Sequence, residues 1–168
     1  ESIPNVLGEN FGGYCYKPYD KSLIINQIES IKKSRPQAFI KTFDAFELMI
    51  DNNVFDFNGA KTKELFAFAV NKNGAYVQIE EVIKALWPNK SSDLGQISYR
   101  DSVWKLKRDL NSVGLDTLLT FKRGFIKANK DVAKCDLWDL LDNKSEVTSI
   151  VSYMPNYAWA ADYEAIVM

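Results

Sequence analysis

Histidine is absent from this 168-residue sequence, and cysteine occurs only twice, as Cys15 and Cys135. Without histidine the chain lacks the commonest general base and the commonest metal ligand, which argues against hydrolytic and zinc chemistry. Neither cysteine has a CxxC partner, so we expect buried reduced thiols rather than a disulfide or a metal site. The sequence also offers no nucleophile-base pair and no phosphate loop. We therefore expect no metal, no cofactor and no enzymatic activity.

Long apolar runs are missing as well. No segment approaches the roughly 18 to 20 apolar residues of a membrane helix, and residues 1–5 lack the basic and apolar regions of a signal peptide. Hydrophobic residues make up 46% of the chain, which is enough to bury the core of one domain, or of one domain with an appendage. We expect a globular cytoplasmic protein without membrane contact.

The net charge of −1 conceals an asymmetry along the chain. Residues 84–130 contain ten Lys or Arg against four Asp or Glu, a local charge of +6. Residues 131–168 contain two against seven, a local charge of −5. A basic block inside a nearly neutral protein is a candidate phosphate-facing surface, and a solvated face is the alternative.

The first part of the chain predicts a strand followed by a helix. An apolar run at residues 14–16 precedes a helix that is predicted from Asp20, its N-cap, to about Lys33. Pro36 cannot continue a helix and disfavours helical backbone at the residue before it, so it marks the best linker candidate.

The middle of the chain changes its hydrophobic period from helical to alternating and back. Alternation from Phe39 to Ile50, followed by an Asp-Asn-Asn turn at residues 51–53, predicts short antiparallel strands. Punctuation by glycine and proline then delimits helical segments. The predicted helices are Thr62–Asn71, Gln78 or Ile79 to Trp87, and Gln96–Val113.

The third of these helices carries one continuous apolar face, formed by Tyr99, Val103, Leu106 and Leu110. A β-hairpin over residues 118–126 follows it, with Lys122 and Arg123 at the tip. The order of strands, three helices and a hairpin is that of a winged helix-turn-helix. The sequence therefore predicts an α+β fold with an N-terminal antiparallel sheet and a C-terminal wing hairpin.

A collinear series of segments resembles the SARP/SAPR type of regulator, a branch of the OmpR/PhoB-like winged-helix class. The segments are Ile40–Leu48, Lys61–Val70, Ala85–Pro88, Tyr99–Leu110, Cys135–Leu141 and Tyr153–Ala160. Their matching order and spacing carry the resemblance over residues 40–168. It implies a bacterial transcription regulator, the output domain of a two-component system, whose recognition helix contains residues 99–110.

The pattern Gly-Tyr-x-x-Lys-Pro at residues 13–18 resembles the end of a response-regulator receiver domain. By that resemblance Lys17 would contact a phosphoryl group, Pro18 would follow a cis peptide, and Tyr14 would be the aromatic switch residue. The acceptor aspartate of a receiver would lie upstream of residue 1. We therefore interpret this part as a partial receiver (β-α) stub that cannot accept phosphate; a sensor kinase would act only on an intact receiver.

These observations predict three parts: a receiver remnant at residues 1–35, the winged helix-turn-helix at 36–130, and an acidic helical extension at 131–168. The implied partners are double-stranded DNA, RNA polymerase and a second copy of the chain. A winged-helix protein-interaction module is the alternative function. Cations on both the helix and the wing favour DNA, because protein docking has no need for them on both elements.

Arg100 is the first candidate for reading a base, because it projects from the N-terminal half of the recognition helix and a guanidinium can bind guanine in bidentate fashion. A surface ion pair with Asp101 or Glu81 is the alternative for this residue. The further candidates for base contacts are Gln96, Ser98 and Lys105.

A second group of residues is assigned to phosphates, with a solvated surface as the alternative. The cations of this group are Lys107, Arg108, Lys122 and Arg123. Lys61 and Thr62 lie at the start of a helix, where N–H groups and a hydroxyl favour anions; Thr62 could instead be a simple cap. The four tryptophans are predicted to be core or interface residues. Of these, Trp104 would pack on the wing, the acidic tail or a second protomer.

Overall fold

The computed structural model describes residues 20–22, 24–26, 37–142 and 152–163. Contacts divide the chain into two units, Glu1–Pro36 and Gln37–Met168. The division falls at Pro36, the linker candidate of the sequence.

The described part of the first unit is the beginning of a helix. Residues 21–22 and 24–26 are helical, and the Ser22 N–H donates to the Asp20 carboxylate at 2.8 Å. This hydrogen bond confirms Asp20 as the N-cap, since a cap side chain accepts from an otherwise unpaired N–H of the first turn. The receiver-like residues Tyr14, Lys17 and Pro18 lie outside the described residues, as does Cys15.

The second unit contains strands, helices and a hairpin in the predicted order. Its strands are β1 (Ala38–Lys41), β2 (Glu47–Ile50), β3 (Asn53–Val54), β4 (Val77–Gln78), β5 (Leu119–Lys122), β6 (Phe125–Ala128) and β7 (Lys134–Cys135). Its helices are α1 (Ala60–Asn71), α2 (Ile79–Leu86), α3 (Ser92–Ser112) and α4 (Asp136–Leu141), and a 3-10 turn covers Ala158–Ala160. The predicted α+β winged-helix fold is confirmed.

The first sheet has the strand order β3-β2-β1-β7. β1, β2 and β3 are antiparallel neighbours, as the alternating pattern predicts. Asp51 and Asn52 form the tight turn between β2 and β3 with positive φ of 49° and 66°, a conformation that Asp and Asn tolerate better than most residues. The parallel edge strand β7 was not anticipated.

Residues 131–142, the beginning of the predicted acidic helical extension, belong to the second unit and contact its core. Besides the pairing of β7 with β1, the Asp136 carboxylate accepts from the Thr42 N–H at 2.9 Å and from its hydroxyl at 2.6 Å. Trp138 is buried, and its indole N–H donates to the Val70 carbonyl at 3.0 Å. These hydrogen bonds attach the segment to the core, although its composition is acidic.

Residues 152–163 pack on the same unit. The Met154 N–H donates to the Thr42 carbonyl at 3.0 Å, and Phe43 forms an isolated antiparallel bridge with Tyr153. The rings of Tyr157 and Trp159 stack with 5.4 Å between their centroids. Aromatic burial therefore fixes this segment, since each large ring removes much apolar surface from water.

Helix α1 lies at the centre of the core. Its side chains from Leu65 to Asn71 are all buried, which confirms the predicted packing of this helix. A helix that is apolar on all sides is usually covered by neighbouring elements on all sides. Here α3, α2 and β6 all contact α1.

Helices α2 and α3 form the helix-turn-helix. A Cβ at Gly95 would lie 2.5 Å from Ile83 Cγ2, so the two helices approach where α3 has no side chain. Helix α3 begins at Ser92, four residues before the predicted Gln96. Residues 91–93, Ser-Ser-Asp, have the composition of a turn, but the helix already includes Ser92 and Asp93.

The wing is a hairpin of β5 and β6, and β4 completes a second sheet in the order β4-β6-β5. Lys122 pairs with Phe125 across the hairpin, which leaves Arg123 and Gly124 as its two turn residues. Gly124 has φ of 82°, a conformation that favours glycine.

Candidate nucleic-acid interface

One face of helix α3 packs against the core of the domain. Its buried residues include Tyr99, Leu106 and Leu110, which confirms most of the predicted apolar face. The buried Asp109 carboxylate accepts from the Asn58 N–H at 2.8 Å, at the turn before α1. This anchor fixes the rotation of α3 about its axis, and hence which side chains face solvent.

Arg100 lies exposed on α3 and contacts another predicted site residue. Its guanidinium donates to the Gln96 side-chain oxygen at 3.4 Å. The acidic residues proposed as alternative partners are engaged elsewhere, since Asp101 pairs with Lys105 at 2.7 Å and Glu81 with Lys72 at 2.6 Å. Within the described residues, Arg100 therefore forms no ion pair.

The other predicted base contacts are less available. Lys105 is bound to Asp101 on the neighbouring turn, as an i,i+4 pair. The Ser98 hydroxyl donates to the Leu94 carbonyl at 2.9 Å and accepts from the Lys90 ammonium at 2.6 Å. Both side chains are exposed or half-exposed, but they would have to exchange these partners to reach a base.

Two predicted phosphate contacts border a groove between α3 and β5. The Lys107 ammonium lies 4.6 Å from the centroid of the Phe121 ring, and the Arg108 guanidinium lies 4.8 Å from the Trp104 ring. The groove measures about 540 Å³ and is lined by these four side chains among others. The groove therefore lies between α3 and the wing.

The wing carries the remaining predicted cations. Arg123 is exposed in the hairpin turn. The ammonium groups of Lys122 and Lys127 lie 4.9 Å and 5.2 Å from the ring centroid of Tyr76. A hydrogen bond with Lys122 lowers the pKa of the Tyr76 hydroxyl. This cluster adds Tyr76 and Lys127 to the cationic surface.

Lys61 and Thr62, which were predicted to bind a phosphate, contact groups of the protein itself. Thr62 is 2% exposed, and its hydroxyl donates to the Asn58 carbonyl at 3.4 Å. Lys61 donates to the Leu86 carbonyl at 2.8 Å and pairs with Glu64 at 2.7 Å. Thr62 is not the cap either, because α1 begins after Gly59. The hydroxyl therefore faces the interior, and the lysine ties α1 to the end of α2.

The structure exposes three apolar residues on α3. Leu94, Ile97 and Trp104 are 56%, 60% and 59% exposed. Leu94 and Ile97 were not selected from the sequence, although the signal was present there, because these positions lie opposite the predicted apolar face of the helix. Trp87 and Trp138 are buried, which agrees with the prediction of core or interface positions. Trp104 is exposed and lines a groove together with Phe121 of the wing, one of the surfaces on which it was predicted to pack.

The described residues contain no group of three His, Cys, Asp or Glu side chains that could hold a metal ion. Cys135 is 1% exposed, as predicted, and burial raises the pKa of its thiol, so it is a poor nucleophile at neutral pH. Among the described helices, none combines the length and hydropathy of a membrane-spanning segment.

These features describe a winged-helix fold whose exposed α3 and hairpin surface is cationic and partly apolar. No family model matches the sequence, and no curated protein sequence matches it. The fold is similar to that of EmbR from Mycobacterium tuberculosis, a structure solved in complex with a low-affinity phosphopeptide. The TM-score is 0.56 and the sequence identity 18%, over 66% of this chain and 30% of the EmbR chain.

Proposed function

We propose that residues 37–163 form the sequence-specific DNA-binding module of a transcription regulator. In this proposal α3 enters the major groove and the β5–β6 hairpin contacts the neighbouring backbone as the wing. The observation that carries the proposal is the cationic border of the groove between these two elements, with Lys107 and Arg108 on one wall and Phe121 on the other. Lysine and arginine on helix and wing together match the charge pattern of duplex DNA.

Arg100 is the proposed base-reading residue. A guanidinium can bind guanine O6 and N7 in bidentate fashion, and this is the commonest specific contact in the major groove. The contact from Gln96 holds the side chain without neutralising it. Gln96, Ser98 and Lys105 remain proposed as secondary contacts.

Lys107 and Arg108 are proposed to bind phosphates, together with Lys122 and Arg123 of the wing. Cation–π contacts at exposed sites are worth about 0.5–1 kcal/mol, so the aromatic rings orient the cations without competing strongly with a phosphate. Trp104 and Phe121 thus act as supports for the charged groups. Counterion release from the backbone would then supply most of the non-specific affinity.

The wider assignment rests on the sequence resemblance and on the fold similarity to EmbR. We propose the output domain of a bacterial two-component response regulator of the SARP type, acting in the cytoplasm. The proposed partners are duplex DNA, RNA polymerase and a second copy of the chain. Residues 1–35 contribute the receiver-like pattern at positions 13–18 to this assignment.

A protein-interaction module is the second candidate, because Leu94, Ile97 and Trp104 give α3 an exposed apolar surface. Such a surface could dock a partner protein. Measuring affinity against salt concentration distinguishes the two candidates, because DNA binding through these cations depends strongly on salt.

The test begins with selection of bound sequences from a random pool of duplexes. Affinity for the selected site should fall roughly 10- to 1000-fold between 50 and 200 mM salt, because several phosphates are neutralised. Arg100→Ala should cost about 1–3 kcal/mol and relax the preference at one base pair, whereas Arg123→Ala should weaken all sequences alike. Lys134→Ala, at an exposed cation of β7, is the matched control and should change neither.

Salt-insensitive binding, or binding no stronger than that of an acidic control protein, would contradict the proposed function. Equal losses of specific and non-specific affinity on Arg100→Ala would contradict only the assignment of base reading to that residue.

A further inference from the structure

The exposed side of α3 carries an apolar stripe of Leu94, Ile97 and Trp104. Each of these side chains is more than half exposed, although the helix buries its opposite face in the core. Large apolar side chains grouped on one exposed face mark an interaction site more often than scattered ones do. We therefore expect the stripe to contact a partner that has apolar groups of its own.

The spacing places the three residues along one line. They are three and seven positions apart, so they lie on the same side of the helix. With a rise of about 1.5 Å per residue, Ile97 and Trp104 are separated by about 10 Å along the axis.

Within the described residues, unpaired cations lie beside the stripe on one side and within it. Arg100 and Lys107 lie on one border, and Arg108 stacks on Trp104 within the stripe. On the other border Lys105 is paired with Asp101 at 2.7 Å. An apolar protein partner would leave these charges to be desolvated or paired, at a cost. A polyanion with apolar groups at the bottom of a groove would satisfy both the charges and the stripe. The thymine 5-methyl group is the apolar feature of the DNA major groove.

We propose that Leu94, Ile97 and Trp104 contact thymine 5-methyl groups in the major groove, so that this protein selects thymines beside the base pair read by Arg100. The inference rests on the proposed DNA-binding function and adds the base identity that the apolar stripe selects. Ile97 lies at the centre of the contact, between the helix start and Trp104. Because Ile97 and Trp104 are about 10 Å apart along α3, the two side chains contact different thymines.

The test uses the full chain and single replacements of thymine by deoxyuridine across the selected site. Deoxyuridine keeps the base pairing and removes only the methyl group. Affinity should fall about 3- to 5-fold at each contacted thymine, the factor expected for the loss of one buried methyl-sized group. In Ile97→Ala, replacement of one of these thymines should have no further effect, because its apolar partner is gone.

Val54→Ala is the matched control, since Val54 is a 51% exposed apolar residue of the first sheet. It should leave the deoxyuridine effect unchanged. Unchanged affinity for every deoxyuridine duplex, or a selected site without thymine beside the Arg100-dependent base pair, would overturn the inference while DNA binding stands. Failure to bind any duplex would overturn the proposed function itself, and retained binding of a protein partner through Ile97 would then identify the surface as a docking site.

Discussion

The close packing of α2 against α3 in the helix-turn-helix depends on Gly95, which has no side chain. An alanine methyl there would lie 2.5 Å from Ile83 Cγ2, whereas non-bonded carbons pack at about 3.5–4.0 Å. Gly95→Ala must therefore push α2 and α3 apart or force Ile83 out of its rotamer. Both responses would disturb the platform from which α3 presents Arg100.

Two effects of opposite sign decide the magnitude. Overpacking of a filled core costs about 1–3 kcal/mol, and alanine in a helix interior is favoured over glycine by about 1 kcal/mol. We expect Gly95→Ala to lower the free energy of unfolding by about 1 kcal/mol, the difference between these effects. In a domain of this size, that loss lowers the melting temperature by about 2–4 °C.

The sign should reverse when Ile83 is shortened. Ile83→Ala removes Cγ2 and costs about 2–5 kcal/mol by itself, but Gly95→Ala should then stabilise that variant by about 0.5–1 kcal/mol through helix propensity. Val82→Ala, at a buried neighbour on α2 that lies outside contact range of the added methyl, is the control. In that background Gly95→Ala should still destabilise. Urea unfolding followed by tryptophan fluorescence gives all six free energies, and a Gly95→Ala effect of the same sign in every background would refute the close approach.

The remaining predictions concern buried ionisable groups. Burial raises the pKa of Tyr99 to about 12 from its ordinary value of 10.0, so the unfolded chain loses this proton first and stability falls as the pH rises above 10. Tyr99→Phe should therefore reduce the loss of unfolding free energy between pH 8 and 11 by about 1 kcal/mol, and an unchanged loss in urea titrations would contradict the burial of this hydroxyl. In a Cys15→Ser variant the remaining thiol, Cys135, should react with Ellman's reagent only as fast as the protein unfolds, because it is buried and protonated. Rapid labelling of the native protein would show that β7 opens on its own.

Local patterns in the sequence were sufficient for most of the fold. The alternation from Phe39 to Ile50 and the turn at residues 51–53 predicted the β1–β2–β3 meander, because period-two burial and left-handed Asn or Asp are local properties. Helix α1 and the wing hairpin were also predicted from local properties, namely their hydrophobic patterns and the residues at their ends. The nearly complete burial of α1 followed from its apolar composition on all sides.

Predictions that depended on distant contacts were less successful. The charge pattern predicted an acidic helical extension from residue 131 but not its contacts: Asp136 binds Thr42 and Trp138 binds Val70, pairs separated by 94 and 68 positions. The charge of a segment does not reveal whether its carboxylates meet buried donors. The helical pattern of α3 was clear only from Gln96, and the sequence did not reveal that α3 already lies against Ile83 of α2 at Gly95.

The candidate interface divides in the same way. The sequence by itself determined that the chain has a basic helix and a basic hairpin, because charge and helical period are local properties of neighbouring residues. Their cations are Arg100, Lys107, Arg108, Lys122 and Arg123. Tertiary structure alone decided which side chains are accessible: it buried the Thr62 hydroxyl and left Ile97 and Trp104 in solvent. The reason is that the rotation of a helix is set by the core packed against its other side. For α3 that core includes α1 and α2, which other segments of the chain supply.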